Sequence, residues 1–306
     1  MVGVPGPWQH RFVGAHGIRF HVAVCEPADV AGVMPPGQQA PLVLLLHGSL
    51  QNWYAWRGVL PGLAAAGYRA VAADLRGHGA TDATPRGYHL PGLADDVDAL
   101  VRSLGARQAV VVGHDLGGWV GWTLAARHPE RLLGLVAVGS PPPRPDLLRG
   151  RALRSLLVAQ PPSVPEHALL HRGGIRAHLD GARATPAPRS DVEYYVASVR
   201  VPSVAHTSLE PWRWLTRASL RPDGVRWWRS VRGPVAVPVL RVDGGLDRFA
   251  VTPPRRGASE LQDASARPGV AARVVVPGAG HLVPEEAPAE LLAALLDWLP
   301  AVVPRA

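Results

Sequence analysis

The chain contains no lysine and a single cysteine, and each shortage excludes something. One cysteine, Cys25, permits neither an intrachain disulfide nor a thiolate metal cluster. Its place at the end of the alternating run Ile18–Cys25 reads as a small buried hydrophobe. Without lysine, all 32 basic side chains are arginines, giving a formal net charge of +8. They are scattered and no nucleic-acid motif accompanies them, so a solvated basic surface is expected and no nucleic-acid partner. No apolar run approaches membrane-spanning length, and Met1–Trp8 lacks the basic-then-apolar pattern of a secretory leader. A cytoplasmic protein with no membrane partner is therefore expected. Charged residues are only 18% and hydrophobic residues 47%, a balance that suits a folded chain with a real core. At 306 residues, that core suits one large domain with an insertion, or two modest domains.

What is present begins with strand-like and helix-like segments in alternation. Arg11–Ala15 and Ile18–Val24 alternate around Gly17, a hairpin pattern. Leu42–Leu46 is continuously apolar, as in a strand buried on both faces. Trp53–Ala66 has helical spacing closed by Gly67, and strand Arg69–Ala73 follows. His89–Leu104 is an amphipathic helix closed by Gly105. Strand Ala109–Val112, helix Trp119–His128 and strand Leu132–Val138 continue the alternation. From Pro141 to about Arg232 the chain turns Pro- and Arg-rich, and helical where regular. Strands Val239–Val242 and Arg273–Val276 and helix Pro288–Leu299 then resume the pattern. The expectation is an α/β fold: a mostly parallel sheet with helices on both faces and an inserted helical lid over the strand ends.

Gly113-His114-Asp115-Leu116-Gly117 sits between the strand ending at Val112 and the helix that follows. Strand, Gly-flanked turn and helix is the context of a nucleophile elbow, with aspartate where serine is usual. The residue type points to the chemistry. A serine alkylated at an sp³ carbon becomes an ether, which water cannot readily cleave; an alkylated carboxylate becomes an ester, which an activated water can. Asp115 therefore predicts alkyl transfer followed by ester hydrolysis. That second step needs a base. His281, in Gly280-His281 after the last strand, fits, with Asp247 after strand Val239–Val242 as the acid that orients it. Asp243 and Asp146 are alternative acids. Main-chain N–H groups of Ser49 and Leu116 are the expected oxyanion donors. His47 and His78 read as loop organisers, as do Asp74, Arg76 and Gly77.

His47-Gly48-Ser49-Leu50, Asp74-Leu75-Arg76-Gly77-His78-Gly79, Gly113-His114-Asp115 and Gly280-His281, with Glu286-Ala287-Pro288, occur in this order. Together they resemble the α/β-hydrolase fold epoxide hydrolase family, the Asp-nucleophile branch related to haloalkane dehalogenases. The resemblance implies a core of residues 1–140 and 233–306, a cap at 141–232, no cofactor or metal, and a small apolar organic substrate with water. It makes Asp115 the nucleophile, His281 the water-activating base and Asp247 its acid. A homodimer stays open as the assembly. Three positions depart from the family pattern. Leu50 replaces a proline, Leu116 replaces the tryptophan after the nucleophile, and Trp212 stands where a cap tyrosine is usual. Leu156–Gln160, where the other cap tyrosine is expected, has none. Trp53, Tyr194, Tyr195, Trp212 and Trp214 are the candidate substrate-binding side chains. Dehalogenation by the same three residues, and a non-hydrolytic role in binding an apolar ligand, are the alternatives.

Overall fold

The computed structural model describes residues 3–27, 40–144, 156–171, 173–201, 203–249 and 272–303. The first two strands, β1 (Gln9–Ala15) and β2 (Ile18–Cys25), form an antiparallel hairpin. Its turn is His16-Gly17, both with positive φ (47° and 75°), the geometry that follows the natural strand twist. Six parallel strands complete the sheet: β3 (Leu42–Leu46), β4 (Arg69–Ala73), β5 (Ala109–His114), β6 (Leu132–Val138), β7 (Val239–Gly244) and β8 (Ala272–Val276). The order across the eight strands is β1-β2-β4-β3-β5-β6-β7-β8.

Successive side chains of a strand face opposite sides. Leu44 and Leu46 accordingly pack with helices α2 (Leu90–Ser103) and α3 (Leu116–Arg127) on one face. Val43 and Leu45 pack on the other with helix α1 (Leu60–Ala65) and a C-terminal helix, Pro288–Val302. Both faces are covered, which is why β3 is apolar without a break.

Between β6 and β7 the described chain is helical: α4 (Val164–His171), α5 (Gly174–Ala182), α6 (Arg189–Val199), α7 (Val204–Ala218) and α8 (Pro222–Val231). A third apolar cluster joins α5, α6 and the start of α7 to Leu50 and Leu282, from the loops after β3 and β8. The inserted helices thus rest on the carboxyl edge of the sheet, where crevices of open α/β sheets form. The last two helices are α9 (Val283–Glu286) and α10 (Pro288–Val302). Among the described residues no helix is long and apolar enough to cross a membrane.

Among the boundaries that differ from expectation, two bear on the site. Trp53–Ala66 is not one helix: a 3₁₀ turn, Trp53–Trp56, precedes α1. Asn52 accepts from the Tyr54 N–H to start that turn, and Pro61, which lacks an N–H, suits only the opening of a new helix. Helix α3 begins at Leu116, directly after the elbow, not at Trp119.

Candidate active site

Asp115 is the sharpest point of the backbone. Its φ is +47° and ψ −111°, a conformation that costs a non-glycine residue about 1–3 kcal/mol. Neighbouring bonds hold it there. Its N–H donates to the Val138 carbonyl (3.1 Å), and Ser140 Oγ donates to its carbonyl (3.0 Å). A Cβ on Gly113 would stand 2.3 Å from the Gly117 carbonyl oxygen, so this approach of strand to helix requires glycine.

The turn aims the carboxylate at two partners. Oδ2 accepts from the Ser49 N–H at 2.9 Å, and Oδ1 lies 3.8 Å from His281 Nε2. His281 Nδ1 in turn meets Asp247 Oδ2 at 2.9 Å, and the Asp247 side chain is buried. Asp247 Oδ1 accepts from the Phe249 N–H, which fixes the carboxylate plane. Asp243 faces Arg241 and Arg273 instead (3.0 and 2.7 Å). Asp146 lies outside the described residues. Leu116 is the first residue of α3, so its N–H is among the helix-start donors that have no intrahelical partner.

The charges follow from this geometry. Burial disfavours imidazolium at His281, but its contacts with Asp115 and Asp247 outweigh burial and push its pKa up to about 10. Burial likewise disfavours the Asp115 carboxylate, and the nearby charge of His281, with the Ser49 N–H, overcomes it, holding Asp115 well below the usual carboxylate range. The resting site is a carboxylate–imidazolium–carboxylate row.

Ser49 is presented by a loop with a strained residue of its own. Leu50 has φ +58°, which proline cannot adopt, and its side chain is buried against the inserted helices. The departure from proline is thus a different loop conformation. His47 Nε2 accepts from the Leu75 N–H (3.0 Å), and His78 Nε2 contacts Ser208 Oγ (3.0 Å); both histidines organise loops. Asp74 accepts from the Trp53 and Ala80 N–H groups, and Arg76 pairs with buried Asp96.

Of the five aromatic candidates, Trp212 is the one joined to this centre, its Nε1–H donating to Ser49 Oγ at 3.0 Å. Trp53 is 1% exposed and packs beneath the hairpin against Trp8 and His10. Tyr195 is fully buried with its hydroxyl on Glu285 Oε1 (3.1 Å), and Tyr194 packs tilted against Tyr54, ring centroids 4.2 Å apart. Trp214 donates to Asp223 and lines a separate groove of about 540 Å³ with Tyr88, His89 and Glu210.

Sequence reasoning missed a buried polar bridge. Gln51 Nε2 donates to Glu285 Oε1, while its Oε1 accepts from the Gly48 N–H (3.2 Å). His114 sits between Gln51 Oε1 and the His281 carbonyl (3.0 and 2.9 Å). Glu285 Oε2 accepts from Arg183 at 2.6 Å, tying the bridge to the inserted helices. His114 lies inside a motif quoted above, and Gln51 and Glu285 lie directly beside two others, but nothing in their spacing shows that they meet.

A family model described as "alpha/beta hydrolase fold" matches residues 41–288. The chain belongs to the α/β-hydrolase fold family. Among its relatives, Epoxide hydrolase B of Mycobacterium tuberculosis is 45% identical over 134 residues, covering 43% of this chain and 35% of that protein. The matched segment thus spans about a third of that relative's length. The AB hydrolase superfamily protein YfhM of Bacillus subtilis is 34% identical over 225 residues, covering 69% of this chain and 74% of that protein. Among solved structures, Epoxide Hydrolase A from Mycobacterium thermoresistibile is 25% identical with a TM-score of 0.77, covering 97% of this chain and 99% of that one. Epoxide hydrolase VrEH1 from Vigna radiata is 26% identical with a TM-score of 0.76, at 96% and 99% coverage.

Proposed function

We propose that the protein is a hydrolase that opens epoxides to vicinal diols through an alkyl ester on Asp115, with residues 141–232 as a helical cap over the site. The observation that carries this reading is the carboxylate at the elbow: Oδ2 sits on the Ser49 amide and Oδ1 faces His281. An oxygen already held by a main-chain donor suits the carbonyl oxygen of an ester, and its partner suits the attacking atom. The names of the relatives support the same substrate class.

In the first step Asp115 Oδ1 displaces the ring oxygen from carbon. Esterification removes the charge that holds His281 protonated, so its proton passes through water to the new alkoxide. The imidazole is left neutral, backed by Asp247, in the form the second step requires. It then deprotonates water, which attacks the ester carbonyl while the Ser49 and Leu116 N–H groups hold the oxyanion. Collapse releases the diol and restores the carboxylate–imidazolium row.

Replacing His281→Gln should block the second step. Intact mass after exposure to aryl and alkyl epoxides is expected to show the protein plus one epoxide, located on Asp115. A wild type inert across that panel overturns the substrate class, and halide release from haloalkanes would replace it with dehalogenation.

A further inference from the structure

Backside attack places the leaving oxygen away from Asp115, toward the inserted helices, so its hydrogen-bond donor must come from there. The tyrosines of the described insertion are engaged elsewhere: the Tyr195 hydroxyl donates to Glu285, and the Tyr194 ring packs tilted against Tyr54. Trp212 spends its N–H on Ser49 Oγ.

His178 is differently placed. Helix α5 presents Ile175, Leu179 and Ala182 to the apolar cluster on the sheet edge. The Ala182 carbonyl accepts from the His281 N–H at 2.8 Å, which pins the end of this helix to the loop of the base. His178 is four residues before Ala182, so it stands on the same side one turn away. Its ring lies 6.4 Å from Phe249, whose own ring lies 5.2 Å from His281. Among the described residues no group hydrogen-bonds the His178 ring. The residue is exposed; desolvation is the largest influence on its pKa and lowers it, while the charge of Asp115 raises it and that of His281 lowers it. The turn it occupies is pinned to the loop of His281, and its ring reaches Phe249, which itself packs on His281; His178 thus stands beside the base with an uncommitted imidazole.

Resting on the epoxide reading, we propose that His178 donates an imidazole N–H to the epoxide oxygen as the ring opens, the task that family members give to cap tyrosines. The bond to carbon forms from Asp115 Oδ1, the electron pair of the broken C–O bond goes to the ring oxygen, and His178 stabilises it there. The proton that completes the hydroxyl still comes from His281 through water.

The test separates the two chemical steps. Rapid-quench intact mass with styrene oxide reads formation of the alkyl-enzyme and then its decay, in wild type, His178→Ala and His178→Gln. Loss of one donor to a developing oxyanion is worth about 10²–10³-fold, so His178→Ala should alkylate about 10²-fold more slowly. His178→Gln, which keeps an N–H, should recover part of that rate. Decay of the ester should be unchanged in both variants, which also reports that they are folded. Wild-type alkylation rates in His178→Ala, or equal slowing of both steps, would overturn the assignment. A wild type that never forms an adduct would instead remove the Asp115 reading beneath it.

Discussion

The sheet edge and the inserted helices build the two walls of the site by different physics. On the sheet side, main-chain N–H groups set the reactive residues: Asp115 N–H to Val138 O and Ser49 N–H to Asp115 Oδ2. The strands beneath are fully buried, so these positions have little freedom to drift. The helices meet the core largely through side chains: Arg183 and Tyr195 on Glu285, Arg57 on Asp191, Thr207 Oγ1 on the Gly77 carbonyl, Trp227 on Thr123. Such contacts change with a single substitution, whereas a strand end does not. On the proposed mechanism, covalent chemistry belongs to the rigid wall, and substrate selection to the wall that side chains can reshape.

The comparison breaks most completely on the rigid wall. Asp115→Asn should reduce turnover by at least about 10⁴-fold, the scale of losing a nucleophile. It also mimics the neutral ester. In the wild type His281 keeps its proton up to about 10, because its carboxylate contacts outweigh burial. The stability this raised pKa contributes is complete below the ordinary value of about 6.5 and is lost as pH rises through the folded value. In Asp115→Asn the imidazole should titrate far lower, toward the ordinary range, and the alkaline loss of stability should shrink. Imidazole NMR titration and urea unfolding at neutral and alkaline pH measure both; an unmoved His281 would contradict the charge relay in the mechanism.

Glu285 tests the seam between the walls. Its side chain and that of Arg183 are 1% and 5% exposed, so Glu285→Ala leaves a buried guanidinium with one fewer counter-charge. Breaking a buried pair this way costs about 3–5 kcal/mol, to be read from urea unfolding. Glu285→Gln should cost less, because an amide still accepts. Leu50→Pro acts on the rigid wall alone. Proline cannot hold φ +58°, so the Ser49 N–H should leave Asp115 Oδ2, with turnover falling by about 10²–10³-fold. A variant as active as wild type would show that this amide is not an oxyanion donor.

The two walls also differed in how far the sequence revealed them. Strands β4 and β6 were legible to the residue, because continuous apolar runs end sharply at polar or glycine residues. Asp115, His281 and Asp247 were legible because each follows a strand, and parallel strands deliver their ends to one edge. The helical wall was not. Trp212 and Trp214 looked equivalent, yet two residues along a helix is over half a turn, and they face opposite ways. Tyr195 looked available and is committed to Glu285. Gln51 meets Glu285, and the end of α5 meets the loop of His281, only once distant segments pack together, contacts no local pattern encodes.

The smallest effect expected is at the indole that joins the inserted helices to Ser49. Trp212→Phe removes the N–H to Ser49 Oγ but keeps a ring against Trp119, so it deletes a bond without emptying the space. A neutral hydrogen bond is worth about 0.5–1.5 kcal/mol, a change of several-fold in turnover at most. Ser49→Ala removes the same bond from the other side and leaves the catalytic main-chain N–H intact. If Trp212 acts on the site only by holding this loop, the double variant should be no worse than either single one. Additive losses would mean instead that Trp212 contacts substrate directly, moving it from the support of one wall to the face of the other.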